Sequence, residues 1–194
     1  VQLSARLEPY APMFLEDPIR PDNFDEMARV AQQCRIPIAT GERINSLFEF
    51  EMLLERGACS YVRASIGVCG GFTGIKKIAA LAEAHHKSLV PHNPLSPVTT
   101  NALLQFCAAT DNIAICEYPD PYAASTADAV TGGGSKLRQV DMVTQIPKFE
   151  KGYVEIPEGP GLGIDLISDV EERFPFRPHA VGTRLNLDGS ICDQ

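Results

Sequence analysis

Pro37-Ile38-Ala39-Thr40-Gly41-Glu42-Arg43 is the stretch whose reading decides the fold. Ile36 and Ile38 make a short apolar run that reads as a buried strand. Gly41 ends it, and a carboxylate follows at once. Helical spacing then begins, at Leu47, Phe50 and Met52-Leu53-Leu54. A charged group at the end of a buried strand, just before a helix, is where an α/β barrel keeps its chemistry. One such unit could equally be a Glu that merely starts a loop.

The unit recurs. Strand-like Met13-Phe14-Leu15 ends at Glu16, Ser60–Ala64 at Ser65, Ser88–Pro91 at His92, and Ile113–Cys116 at Glu117. The steps between these ends are each about 25 residues, the length of one strand-helix unit in a barrel of eight. Between them lie helical faces, such as Phe24, Met27, Val30 and Ala31, or Ile75, Ile78, Ala79 and Ala82. Packed side by side, these units bring Glu16, Glu42, Ser65, His92 and Glu117 to one rim. The expected class is α/β. Five units are too few to close an eight-stranded barrel, and the chain opens in what reads as a helix tail (Ala5, Leu7, Tyr10). It is therefore expected to be the C-terminal part of a longer barrel protein. Residues 1–120 form the partial barrel, and residues 121–194 abandon the repeat to act as a cover.

Composition narrows the function. The net charge is −8 with no basic stripe, which argues against nucleic acid. No apolar run approaches the roughly 18 residues of a membrane span. The six cysteines are isolated, without CxxC spacing, and read as buried reduced thiols of a cytoplasmic protein rather than disulfides or a zinc site.

Several residues have competing readings. Alternation along 60–65 points Tyr61, Arg63 and Ser65 to the barrel interior. A guanidinium there needs an anion: a substrate carboxylate, or a carboxylate on a neighbouring strand. Gly67–Gly74 is glycine-rich but lacks GxGxxG spacing and a P-loop Lys, so tight packing of a βα loop is favoured over a phosphate cradle. His85 and His86 read as surface residues at a helix end. His92 lies in the rigid Pro91-His92-Asn93-Pro94 loop, either a loop histidine or chemistry near neutral pH. Helices are expected over 24–34, 75–86, 101–109 and about 165–173, and short antiparallel strands over 141–158. Residues 121–136 read as a Gly- and Ser-rich loop. Carboxylates on adjacent strand ends suit Mg²⁺. A cation beside a His suits proton abstraction next to a carboxylate.

Phe14-Leu15-Glu16-Asp17-Pro18, Ala39-Thr40-Gly41-Glu42-Arg43, Gly70-Gly71-Phe72-Thr73-Gly74, Pro91-His92-Asn93-Pro94-Leu95-Ser96-Pro97 and Pro160-Gly161-Leu162-Gly163 occur in order. Together they resemble the enolase superfamily, mandelate racemase subgroup, with the galactonate- and mannonate-type sugar-acid dehydratases most similar. The resemblance implies a modified TIM-type (β/α)7β barrel whose C-terminal segment returns to an α+β capping domain. It implies three Mg²⁺ carboxylate ligands on successive strands. Glu16 and Glu42 match the second and third, and the first belongs to an earlier strand. It implies His92 as the catalytic and substrate-contacting histidine, with Glu117 and Arg63 holding substrate. In galactonate-type members the position of Ser65 carries an Asp that pairs with the histidine. Tyr61-Val62-Arg63 and Arg184–Gly189 look mannonate-like instead.

The implied activity is Mg²⁺-dependent dehydration of an aldonate: removal of the proton α to the carboxylate, through a metal-stabilised enediolate, with loss of the β-hydroxyl. The alternatives are racemisation or epimerisation on the same scaffold, and a catalytically weak relative that binds an acid sugar and serves regulation. The expected partners are a small acid sugar and, because a partial barrel exposes an apolar edge, further copies of the chain.

Overall fold

Asn23 and Ser46 show how local sequence starts each helix of the repeat. The Asn23 side chain accepts from the Asp25 and Glu26 N–H groups. Ser46 and Glu49 form a reciprocal capping box. The computed structural model describes residues 1–94, 96–119, 139–176, 178 and 185–191. The loop expected over 121–136, and Leu95, Arg184 and Cys192, lie outside the described residues.

In chain order, α1 is Gln2–Leu7, followed by a 3-10 turn at Glu8–Tyr10. Then come β1 Leu15–Glu16, α2 Phe24–Gln33, β2 Ile38–Thr40, α3 Leu47–Glu55, β3 Tyr61–Val62, α4 Gly71–Ala84, β4 Ser88–Leu89 and α5 Pro97–Ala108. A second 3-10 turn at Gln139–Met142, β5 Phe149–Glu150, β6 Tyr153–Val154 and α6 Val170–Arg173 complete the described chain.

The first four strands form one parallel sheet in the order β1-β2-β3-β4. The fifth expected strand is only a parallel bridge between Leu89 and Ile113. Around it the Leu89 N–H donates to the Asn112 carbonyl and the Ala114 N–H to the Leu89 carbonyl, each at 2.8 Å. The strands are shorter than their apolar runs because each run also supplies the strand-end loop. Helix boundaries shift for local reasons. α5 begins before 101 because the Ser96 hydroxyl accepts from the Thr99 N–H and Pro97 fits the first turn. α4 begins before 75 because Gly70, at φ +93°, turns the chain directly into it. The last helix is only one turn, at its expected C-terminal end.

The core lies between the sheet and α2–α5. Met27, Phe50, Leu53, Ile75, Ile78, Val62, Leu89, Leu103 and Phe106 are fully or almost fully buried there. Burying each such side chain contributes about 1.5–3 kcal/mol, whereas a cap contributes about 1 kcal/mol. The apolar faces therefore hold the helices on the sheet, and side-chain caps set where α2, α3 and α5 begin.

The glycine-rich loop is a packing device, as expected. A Cβ at Gly74 would lie 1.7 Å from the Cys69 carbonyl oxygen. His86 is exposed and His85 half-buried, 3.9 Å from Glu51. The five described cysteines are free. Burial pushes the Cys59 thiol up to about 12 and that of Cys69 to about 11, so neither is a reactive thiolate. Among the described residues no helix is long and apolar enough to cross a membrane.

β5 and β6 pair antiparallel in a tight hairpin with Lys151 and Gly152 at positive φ. This later segment is tied to α5 and to the fifth strand position. Gln105 donates to the Pro157 carbonyl at 2.7 Å, Asn101 to that of Leu162 at 3.1 Å, and the Tyr118 ring stacks on Phe149 at 5.6 Å.

Candidate functional site

The C-terminal ends of successive parallel strands place the candidate residues. Glu16 ends β1, Glu42 follows β2, and Arg63 and Ser65 follow β3. His92 follows β4, and Glu117 follows the bridge at Ile113. Gly41 shapes the second of these ends. Its φ is +134°, and a Cβ there would lie 2.9 Å from the Phe50 ring and 3.2 Å from the Arg63 main-chain nitrogen.

Arg63 is 5% exposed and draws in two carboxylates. Its Nε donates to Glu16 Oε1 at 2.6 Å, its Nη2 to Glu117 Oε2 at 2.8 Å, and its Nη1 to the Val90 carbonyl at 3.0 Å. Burial works against this charge, but the bonds to Glu16 and the fields of both carboxylates outweigh it and raise the guanidinium pKa. Of the two kinds of anion open to Arg63 in the sequence, it meets carboxylates of the protein itself here, one strand further away on each side than its immediate neighbours.

His92 Nε2 lies 3.2 Å from Glu42 Oε2. Burial raises the Glu42 pKa most, His92 opposes that, and the negative charges of Glu16 and Asp17 add to the rise. Ser65 and His92 are bridged through their main chains, yet the Ser65 Oγ and His92 Nδ1 are buried with no hydrogen-bond partner.

Two neighbours in the site carry signals that the sequence reading passed over. Asp17 follows Glu16 with φ +38° and holds a buried, unpartnered Oδ1. Burial raises its pKa, with Thr40 pulling the other way. Asn93 is fully buried, and its main-chain N–H donates to Glu117 Oε2 at 2.8 Å. Their signals were adjacency: Asp17 beside the first carboxylate, and Asn93 between His92 and Pro94.

The donor chemistry of the rim suits a hard cation. Glu16 and Glu42 stand on adjacent strand ends, and the negative charge of Glu16 raises the Glu42 pKa, a like charge that a cation would balance. Among the described residues, no group of three His, Cys, Asp or Glu side chains converges as a metal site. The two glutamates are thus a partial ligand set.

Residues 1–170 match the family model described as enolase C-terminal domain-like. The chain belongs to that family. The enolase-family chain is 36% identical over 162 residues to D-galactonate dehydratase from Ralstonia nicotianae, covering 82% of this chain and 40% of that protein. Its structure resembles an enolase from Agrobacterium radiobacter with Na and L-malate bound, at TM-score 0.82 and 30% identity, covering 98% of this chain and 48% of that one. It also resembles a mandelate racemase/muconate lactonizing enzyme from Jannaschia sp. CCS1, at TM-score 0.77 and 31% identity over 92% and 42% of the two chains. The expected α/β barrel class is therefore that of the family. The chain spans less than half the length of these relatives.

Proposed function

We propose that this chain carries the later strand-end residues of a Mg²⁺-dependent sugar-acid dehydratase. The observation that supports the reading most is the convergence of Glu16, Glu42, Arg63, His92 and Glu117 on one rim, joined by the ion pairs of Arg63 and by the contact between His92 and Glu42. Relatives named D-galactonate dehydratase support an aldonate as substrate. In the same reading, residues 1–120 are the barrel portion and the segment after 121 covers it.

Glu16 and Glu42 would hold the cation. When bound, Mg²⁺ would supply positive charge that stabilises the substrate carboxylate while a base on one of the earlier strands of the barrel takes the neighbouring proton. Arg63 holds the Glu16 and Glu117 carboxylates in place. Glu117, fixed by Arg63 and by the Asn93 N–H, accepts hydrogen bonds from sugar hydroxyls. His92 Nε2 delivers a proton to the departing β-hydroxyl, which leaves as water, and the enol product becomes a 2-keto-3-deoxy acid. Among the described residues the Nδ1 of His92 has no hydrogen-bond partner, so no carboxylate pairs with that nitrogen as in a base dyad. That favours His92 as a proton donor and weighs against racemisation, which needs two opposed bases.

The test is turnover by the native protein with Mg²⁺ and a panel of aldonates, following 2-keto acid formation. A 2-keto-3-deoxy product that disappears on chelation is expected. Exchange of the α-proton with solvent deuterium, without dehydration, would replace the reading with racemisation. Neither result would leave acid-sugar binding without turnover. A Glu42→Gln protein with full Mg²⁺ affinity and full activity would sink the metal assignment.

A further inference from the structure

Asn93 stands beside the proposed chemistry and meets Glu117 through both its main chain and its side chain. Its main-chain N–H donates to Glu117 Oε2 at 2.8 Å. Its side-chain Nδ2 donates to the Glu117 main-chain carbonyl at 3.2 Å and to the Thr100 hydroxyl at 3.0 Å. Thr100 passes its own proton to the Ser96 carbonyl at 3.2 Å, so toward Asn93 it is an acceptor.

The orientation of the amide follows. Both groups facing Nδ2 accept, and a flipped amide would set its oxygen against the Glu117 carbonyl. Oδ1 is consequently buried with no hydrogen-bond partner. An amide kept for stability alone would be expected to satisfy its acceptor as well as its donors.

We infer that Asn93 is a positioning residue, which locks the main chain and the carboxylate of Glu117 together in the orientation where Arg63 meets it. The lock also joins two functional residues. Asn93 is the chain neighbour of His92, so holding Glu117 against Asn93 sets the spacing between the proton donor and the sugar-holding carboxylate. Thr100 anchors the lock to α5. The inference rests on Glu117 as a substrate contact in the proposed dehydratase.

The test uses Asn93→Asp, Thr100→Val and Thr100→Ser in the native protein. Asn93→Asp keeps the shape and removes both bonds donated by the side chain, leaving the main-chain bond to the Glu117 carboxylate. Thr100→Val removes the acceptor, and Thr100→Ser keeps it. A misplacement of about 1 Å in a site costs on the order of 100-fold in rate. Asn93→Asp should therefore lower kcat/KM per folded molecule by about that factor, Thr100→Val by about tenfold, and Thr100→Ser by less than about twofold. In crystal structures of the first two variants the Glu117 carboxylate should be displaced from Arg63. A purely structural role would instead lower Tm while kcat and KM of the folded fraction stay at wild-type values, with Glu117 unmoved. That result would overturn the inference. Should Asn93→Asp fail to fold, Thr100→Val decides by the same readouts. If the wild-type protein dehydrates no aldonate, the dehydratase reading fails, and the position of Glu117 in the variant structures still decides the lock.

Discussion

Arg63 Nε holds Glu16 Oε1 at 2.6 Å across the intervening strand β2. The same guanidinium reaches Glu117 Oε2 at 2.8 Å on the far side of β4. One buried cation thus ties together three strand ends that are not neighbours in the sheet. Removing one member of such a set leaves uncompensated charge, which is more damaging than the set is stabilising. Arg63→Met should lower the unfolding free energy by about 3 kcal/mol, the lower end of the usual range because both glutamates are about one-third exposed. Urea denaturation measures this. A loss below about 1 kcal/mol would mean that water already carries the two carboxylates.

Glu42 should leave a signature in stability against pH. Burial first, then the charges of Glu16 and Asp17, outweigh His92 and raise its pKa above 4.5. The folded chain then keeps a proton that the unfolded chain has released. The stability this group contributes is complete below about pH 4.5 and is lost as pH rises through the folded-state value. Gln at this position never ionises. The stability of Glu42→Gln relative to wild type should therefore increase from about pH 4 to about pH 7 in metal-free buffer. Paired urea titrations at several pH values would read the slope, and a flat or falling difference would contradict the assigned direction.

Ser65 can be converted into a test of His92. The Ser65 Oγ and His92 Nδ1 are both buried without partners, on main chains that bridge each other. Ser65→Asp would give the ring a carboxylate to orient and charge it. General-base assistance contributes roughly 100-fold or more, so even partial recovery of a dyad should raise solvent exchange of the substrate α-proton at least about tenfold. Deuterium incorporation followed by NMR checks this. Unchanged exchange in a folded variant would mean that His92 does not face the α-carbon.

Gly74 predicts a stability effect with no expected change in chemistry. A Cβ there meets the Cys69 carbonyl oxygen at 1.7 Å, and main chain cannot yield as a flexible side chain can. Gly74→Ala should cost about 3 kcal/mol or more, at the upper end of overpacking penalties. Thermal unfolding should show it as a lowered Tm. Gly57→Ala is a useful comparison, because φ +63° strains it while nothing lies within 4 Å of its Cβ. The smaller loss should be at Gly57.

Much of the repeat was legible because it is written locally. Apolar spacing located α2 and α3, and the polar residues closing each run marked the rim. The start of α5 was misplaced because Ser96 and Pro97 sit inside a proline-rich loop that obscures a cap. The strand around Ile113 was overestimated because an apolar run says that a segment is buried, not how many of its main-chain groups find partners. The pairing of Arg63 was legible only as a need for an anion. Alternation along a strand says which way a guanidinium points, while Glu16 and Glu117 lie 47 and 54 residues away.

By itself the sequence determined the unit: a short buried strand, a polar residue at its end and an amphipathic helix, repeated at one register. Those choices follow from periodicity, caps and turn residues, which act within a few positions of one another. Only the tertiary structure decided who meets whom: Arg63 between Glu16 and Glu117, His92 on Glu42, Asn93 locked to Glu117, and Ser65 beside a histidine nitrogen that it does not reach. The reason is physical. Contacts at the rim depend on sheet order and on how each strand end is turned, and a buried charge takes whichever anion that packing brings within hydrogen-bonding distance.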